Sequence, residues 1–189
     1  MLNWKLLISY NSIKAIVDKF CYQNKDLTFL TCADNIIIKS GWEFGTENSK
    51  YEPEKLVITV NELMTEIKKK TEISSYAIMT QGANYVDDKK LTHSVTSKNH
   101  FFMSSISVPF IEAFEIDSDI RKRIKNKEIE KMPFYFEQSF YISTKRIHYI
   151  SEEPTWFKKF DFESEKLNTR LTYSGLTFEN ICDLIDIKK

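Results

Sequence analysis

Leu27-Thr28-Phe29-Leu30-Thr31-Cys32, then Ala33-Asp34-Asn35, then Ile36-Ile37-Ile38-Lys39-Ser40-Gly41-Trp42-Glu43-Phe44 is the stretch on which the fold reading turns. Two runs rich in β-branched and aromatic residues flank a short polar segment, the composition of strand, turn and returning strand. Further extended segments are expected over Ser75–Thr80, Tyr85-Val86 and Phe101–Phe110, with Pro109 marking an edge or an end. Phe134–Ile150 alternates apolar with polar and reads as one long strand or a hairpin. Gln81-Gly82-Ala83-Asn84 reads as a turn, and Gly45–Pro53 as the most loop-like segment.

Helical spacing appears at four places. Ser12 can cap a helix with Ile13, Ile16, Val17, Phe20 and Cys21 on one face, and Trp4–Ile8 either begins it or forms a strand. Asn61 starts a second, with Leu63, Met64 and Ile67 inward. Asp117 or Ser118 caps a third, running to about Lys131 and closed by Pro133. Thr177 caps the last, with Phe178, Ile181, Cys182 and Ile185 together. Strands and helices do not alternate as a doubly wound parallel sheet requires. The expected fold is α+β: a mixed or mostly antiparallel sheet with three to four helices packed against it. No repeat, low-complexity tract or linker divides the 189 residues, so a single globular domain is expected over 1–189.

Composition narrows the function classes. Twenty-seven basic residues balance 27 acidic ones, leaving no global field to draw the chain onto nucleic acid or an anionic membrane. Only four of the basic residues are arginines, the better group for bidentate phosphate contacts. Four glycines stand where about thirteen would be usual, and none forms a phosphate-cradling motif. Cys21, Cys32 and Cys182 are too few and too dispersed for a disulfide framework or a zinc site, and suit a reducing cytoplasm. The longest aliphatic run, Ile36-Ile37-Ile38, is far short of a membrane span. A cytoplasmic protein without cofactor, metal or membrane contact is the expectation.

Side chains that carry chemistry are scattered. His93, His100 and His148 lack metal-ligand spacing, and no Gly-x-Ser-x-Gly elbow supports a triad. Acid pairs occur at Asp87-Asp88, Glu152-Glu153 and Asp161/Glu163/Glu165, and acid-x-lysine triplets of the kind metal-dependent nucleases use are expected by chance among 23 lysines. Two segments stand out. The helix over 117–131 carries Arg121, Lys122, Arg123, Lys125 and Lys127, which can meet phosphates or simply face water. The segment Glu152–Glu163 mixes Trp156, Phe157, Phe160 and Phe162 with acids, the make-up of interface hot spots. A core role for Trp156 and Phe160 is the plainer alternative. The reading is a non-enzymatic protein-binding domain, such as a bacterial toxin-neutralising immunity protein, contacting a basic partner through Glu152, Glu153, Trp156, Asp161 and Glu163. A nucleic-acid binder or metal-dependent nuclease using helix 117–131 is the competing one.

Overall fold

The computed structural model describes residues 4–32, 35–40, 53–82, 94–97, 100–102, 108–147 and 152–185. The turn at Ala33-Asp34, the strand end Gly41–Phe44, the loop residues 45–52, the extended pair Tyr85-Val86, the acid pair Asp87-Asp88, and His93 and His148 lie outside them. The fold is α+β, with five helices among the described residues against the three to four expected. Contacts within the chain group it into two compact units, Met1–Ser75 and Tyr76–Lys189.

In the first unit, α1 (Trp4–Gln23) and α2 (Pro53–Thr71) pack on one another. Between them in sequence, β1 (Leu27–Cys32) and β2 (Asn35–Ser40) form the expected antiparallel hairpin, with Phe29 opposite Ile38 and Thr31 opposite Ile36. Ile16, Val17 and Phe20 of α1 meet Leu63 and Ile67 of α2, and Phe29, Ile36 and Ile38 pack against that cluster. Both helices start earlier than expected. Ser12 lies inside α1, so the Trp4–Ile8 stretch is helical. Asn61 lies inside α2, which opens on Pro53, whose fixed φ suits a first helical turn. α2 ends with Glu72 in the left-handed region (φ 62°), its N–H bonded to the Lys68 carbonyl at 2.9 Å, a position where glycine is usual.

The second unit is built on a four-stranded mixed sheet in the order β3 (Ala77–Met79), β6 (Phe134–Glu137), β8 (Thr169–Leu176), β7 (Lys159–Ser164). Only β3 and β6 run parallel. A separate two-stranded ladder joins β4 (Ser94–Ser97) to β5 (His100–Phe102). One sheet face carries Tyr135, Leu171 and Tyr173, buried under Ile116 and Ile120 of α3 (Val108–Lys125), with Phe160 and Phe162 at the margin. On the other face, Phe134 and Phe136 meet Phe178 of α5 (Phe178–Ile185) and Phe140 of α4 (Gln138–Ile147). All four residues of β6 are buried because both its faces are covered. Gly175, opposite Tyr135 in the ladder, is required by close approach: a Cβ there would meet Met132 Cγ at 2.9 Å.

Two expectations in this unit fail. The helix placed at 117–131 spans Val108–Lys125, so Asp117 and Ser118 sit mid-helix and Pro109, read as a strand edge, falls in the first turn. Of Phe134–Ile150, the described residues 134–147 are four residues of strand followed by helix α4, not one strand or a hairpin, and 148–150 lie outside the described residues. The switch is set by Glu137, whose Oε2 accepts the backbone N–H groups of Ser139 (2.9 Å) and Phe140 (3.3 Å) and the Ser139 hydroxyl. A carboxylate thus caps the helix and satisfies two of its orphan donors. The expected Thr177 cap is present: Thr177 Oγ1 accepts from the Asn180 N–H (3.2 Å), and Asn180 Oδ1 accepts from the Thr177 N–H (3.0 Å).

Candidate functional site

Period-two alternation along Lys159-Phe160-Asp161-Phe162-Glu163 decides what the aromatic and acidic segment does. Phe160 and Phe162 turn inward, each against the buried Tyr173 ring, at 5.6 and 6.2 Å. Lys159, Asp161 and Glu163 turn outward, where the ladder sets Asp161 opposite Thr172 and Glu163 opposite Arg170. Asp161 accepts from the Thr172 hydroxyl (2.7 Å) and from Arg170 (2.5 Å), which together hold its pKa below the ordinary value. Glu153 is paired with Lys159 at 2.6 Å and is likewise lowered. Two of the four acids proposed for the site are therefore already matched within the chain, while Glu152 and Glu163 face solvent.

Trp156 is half-buried, edge-on to Phe157 at 6.2 Å. Phe157 stacks on the buried Tyr141 of α4, centroids 3.8 Å apart. Phe157 and Phe160, then, fasten this segment to the core, and Trp156 rides on the first of them. Lys159, Arg170 and Thr172, absent from the sequence-derived set, complete the outer face; alternation along β7 is the signal for Lys159, while Arg170 and Thr172 come from β8 through the ladder register. Beneath it, Tyr141 Oη and Ser174 Oγ are buried with no hydrogen-bond partner among the described residues. Burial, with Glu153 nearby, pushes the Tyr141 pKa up.

The basic helix is largely committed to its own acids. Arg121 pairs with Asp117 at 2.8 Å and Arg123 with Asp119 at 2.6 Å, each four residues apart. Each of these acids also takes a tyrosine hydroxyl: Tyr76, just before β3, donates to Asp117, and Tyr173 of β8 to Asp119 at 2.9 Å. Burial and then the acid raise both phenols, Tyr76 to about 12. Glu115 adds a third tie, accepting from Ser164 (3.0 Å) and Lys166 (2.5 Å). Lys122, Lys125 and Lys127 remain exposed. Lys127 (φ 60°) occupies the left-handed position of a Schellman turn, with Glu128 N–H bonded to the Arg123 carbonyl at 2.9 Å and Lys127 N–H to that of Ile124 at 3.0 Å.

Glu112 on α3 is the one carboxyl whose pKa is raised among the described residues, by burial and then by the charge of Glu137. A folded-state pKa above the unfolded one means stability falls as pH rises through it. Glu112→Gln is therefore expected to raise the urea midpoint at neutral pH, with the gain disappearing below about pH 4, where both states carry the proton. An equal gain at both pH values would show that the charge is not the cause.

Among the described residues no three His, Cys, Asp or Glu side chains come together in a group that could hold a metal ion, and no helix is long and apolar enough to cross a membrane. Of His100 only the backbone, in β5, is described. On the first unit, Asn24, Glu54, Lys55, Ile58, Thr59 and Glu62 line an open depression of about 520 Å³, with Lys55 paired to Asp26 at 2.5 Å beside it. No protein-family model, curated protein or solved structure matches the chain.

Proposed function

We propose that this chain is a non-enzymatic protein-binding domain that acts by covering another protein's surface. The observation that supports the reading is the setting of Trp156: a large aromatic beside the Phe157–Tyr141 stack that stays partly exposed, followed in sequence by the outward row Lys159, Asp161 and Glu163. Aromatic anchors rimmed by polar groups are where binding energy concentrates. Glu152, Glu153, Asp161 and Glu163 are exposed along the same segment, and the complementary partner carries basic groups facing Glu152 and Glu163, whose charge no intramolecular arginine or lysine contact within 4 Å offsets among the described residues. A cytoplasmic inhibitor of the toxin-neutralising kind fits this design, since it asks for surface complementarity and no cofactor.

Trp156→Ala is expected to weaken partner binding by about 2 kcal/mol or more, roughly thirtyfold, with little change in thermal midpoint. Titration calorimetry and a melting curve on the same variant separate the two roles. A large drop in midpoint with binding intact would make Trp156 a packing residue. The competing reading, nucleic-acid binding or nuclease chemistry on α3, is supported only by Lys122, Lys125 and Lys127, because Arg121 and Arg123 are spent on Asp117 and Asp119. Affinity for DNA or RNA that falls steeply with salt would favour it.

A further inference from the structure

β7 is the last strand of its sheet, and among the described residues nothing pairs with its outer edge. An edge strand offers unpaired amides and carbonyls to any chain that can add alongside, and folded proteins generally block such edges. Here the block is a side chain. Arg123 leaves the last turn of α3, lies over the Phe160 ring at 5.7 Å, and donates from Nη2 to the main-chain carbonyl of Asp161 at 2.9 Å. Asp119 (2.6 Å) and Glu128 (3.6 Å) hold its other nitrogens.

The strand beneath this contact is complementary to itself. Laid antiparallel on a second copy with Asp161 at the two-fold axis, Lys159 falls opposite Glu163 twice, and Phe160 opposite Phe162 twice. Each keeps the face it occupies now, because residues directly opposite in an antiparallel pair share a face. The two Asp161 carboxylates meet at the axis, each already bound by its own Arg170 and Thr172. Neighbouring registers are worse. Centring on Phe162 sets Asp161 against Glu163, and centring on Phe160 pairs only the short stretch from Lys159 to Asp161.

We propose that the outer edge of β7 is a self-association surface whose occupant is a second copy of this chain in the Asp161-centred register, and that Arg123 holds it shut. Release of Arg123 joins the two four-stranded sheets into one. The inference rests on the sheet edge and stands whether or not a different protein binds around Trp156.

Arg123→Met keeps an apolar stem over Phe160 and removes the donor. By sedimentation across a dilution series it is expected to dimerise about ten- to a hundredfold more tightly than the natural chain, the equivalent of one charge-assisted hydrogen bond. Adding Lys159→Glu sets like charges opposite and returns the monomer, and adding Glu163→Lys as well restores the dimer. A second readout tests the register in the opened chain: with Arg123→Met, Asp161→Cys places two thiols face to face at the axis and is expected to cross-link under mild oxidation faster than Glu163→Cys. A folded Arg123→Met chain that stays monomeric, self-association indifferent to Lys159→Glu, or equal cross-linking of the two cysteine variants would each overturn the proposal.

Discussion

Tyr173→Ala is expected to cost about 3–5 kcal/mol of folding stability, the range for truncating a buried aromatic. The ring sits at the centre of the face under α3, with centroids 6.0 Å from Tyr135, 5.6 Å from Phe160 and 6.2 Å from Phe162. Its removal leaves a cavity that β-sheet neighbours cannot close without losing ladder hydrogen bonds. It also strips a donor from Asp119, which then relies on Arg123 alone. Tyr173→Phe isolates that second effect and is expected to cost about 1.5–3 kcal/mol, the worth of a hydrogen bond to a charged group. The sign with pH follows from the raised phenol: its contribution is complete below the unfolded value near 10 and is lost as pH rises beyond it. Urea titrations of the three chains measure all of this. A Tyr173→Ala loss no larger than an ordinary surface change, about 0.5 kcal/mol, would mean that the ring does not organise this face.

Glu137→Ala carries the second large effect, about 1–3 kcal/mol. The residue is only 7% exposed, and its carboxylate meets the Ser139 and Phe140 N–H groups and the Ser139 hydroxyl. Alanine leaves these donors at a helix start directly joined to a buried strand, where water reaches them poorly. Loss of helical signal in proportion to α4, with the sheet retained, would localise the damage. Glu137→Gln, which keeps an acceptor, is expected to recover part of the loss. No change in either variant would show that α4 does not depend on this cap.

These two sites also mark where the sequence was legible and where it was not. The β1–β2 hairpin was readable because a polar triplet separates two β-rich runs, and the Thr177 cap because its oxygen precedes an apolar stripe. Pro53 and Pro109 mislead for one reason: read as a loop end and a strand edge or end, each lies in a first helical turn, where proline without its N–H costs nothing. The reading of Phe134–Ile150 misleads because its alternation runs across a strand-to-helix switch, with β6 buried on both faces and α4 following at once, and because glutamate is not a usual helix cap. The scarcity of glycine did leave a trace in the structure, since Glu72, Lys127 and Asn168 hold left-handed positions where glycine is common. At the candidate site, the residues were found but their pairing was not. Opposition of Asp161 to Thr172 and of Glu163 to Arg170 depends on ladder register, which a single strand does not reveal. The same holds for α3, whose arginines looked free in sequence and are claimed by acids four residues earlier.

Affinity capture from the native host with three tagged chains, read by mass spectrometry and then by titration of the captured protein, tests the binding proposal most directly. The natural chain and a Lys122→Glu, Lys125→Glu, Lys127→Glu variant are expected to hold the same protein in a fixed ratio, while Trp156→Ala with Glu163→Lys, still folded, releases it. Retention by that last variant, or loss through the lysine changes together with salt-sensitive nucleic-acid binding, would refute it.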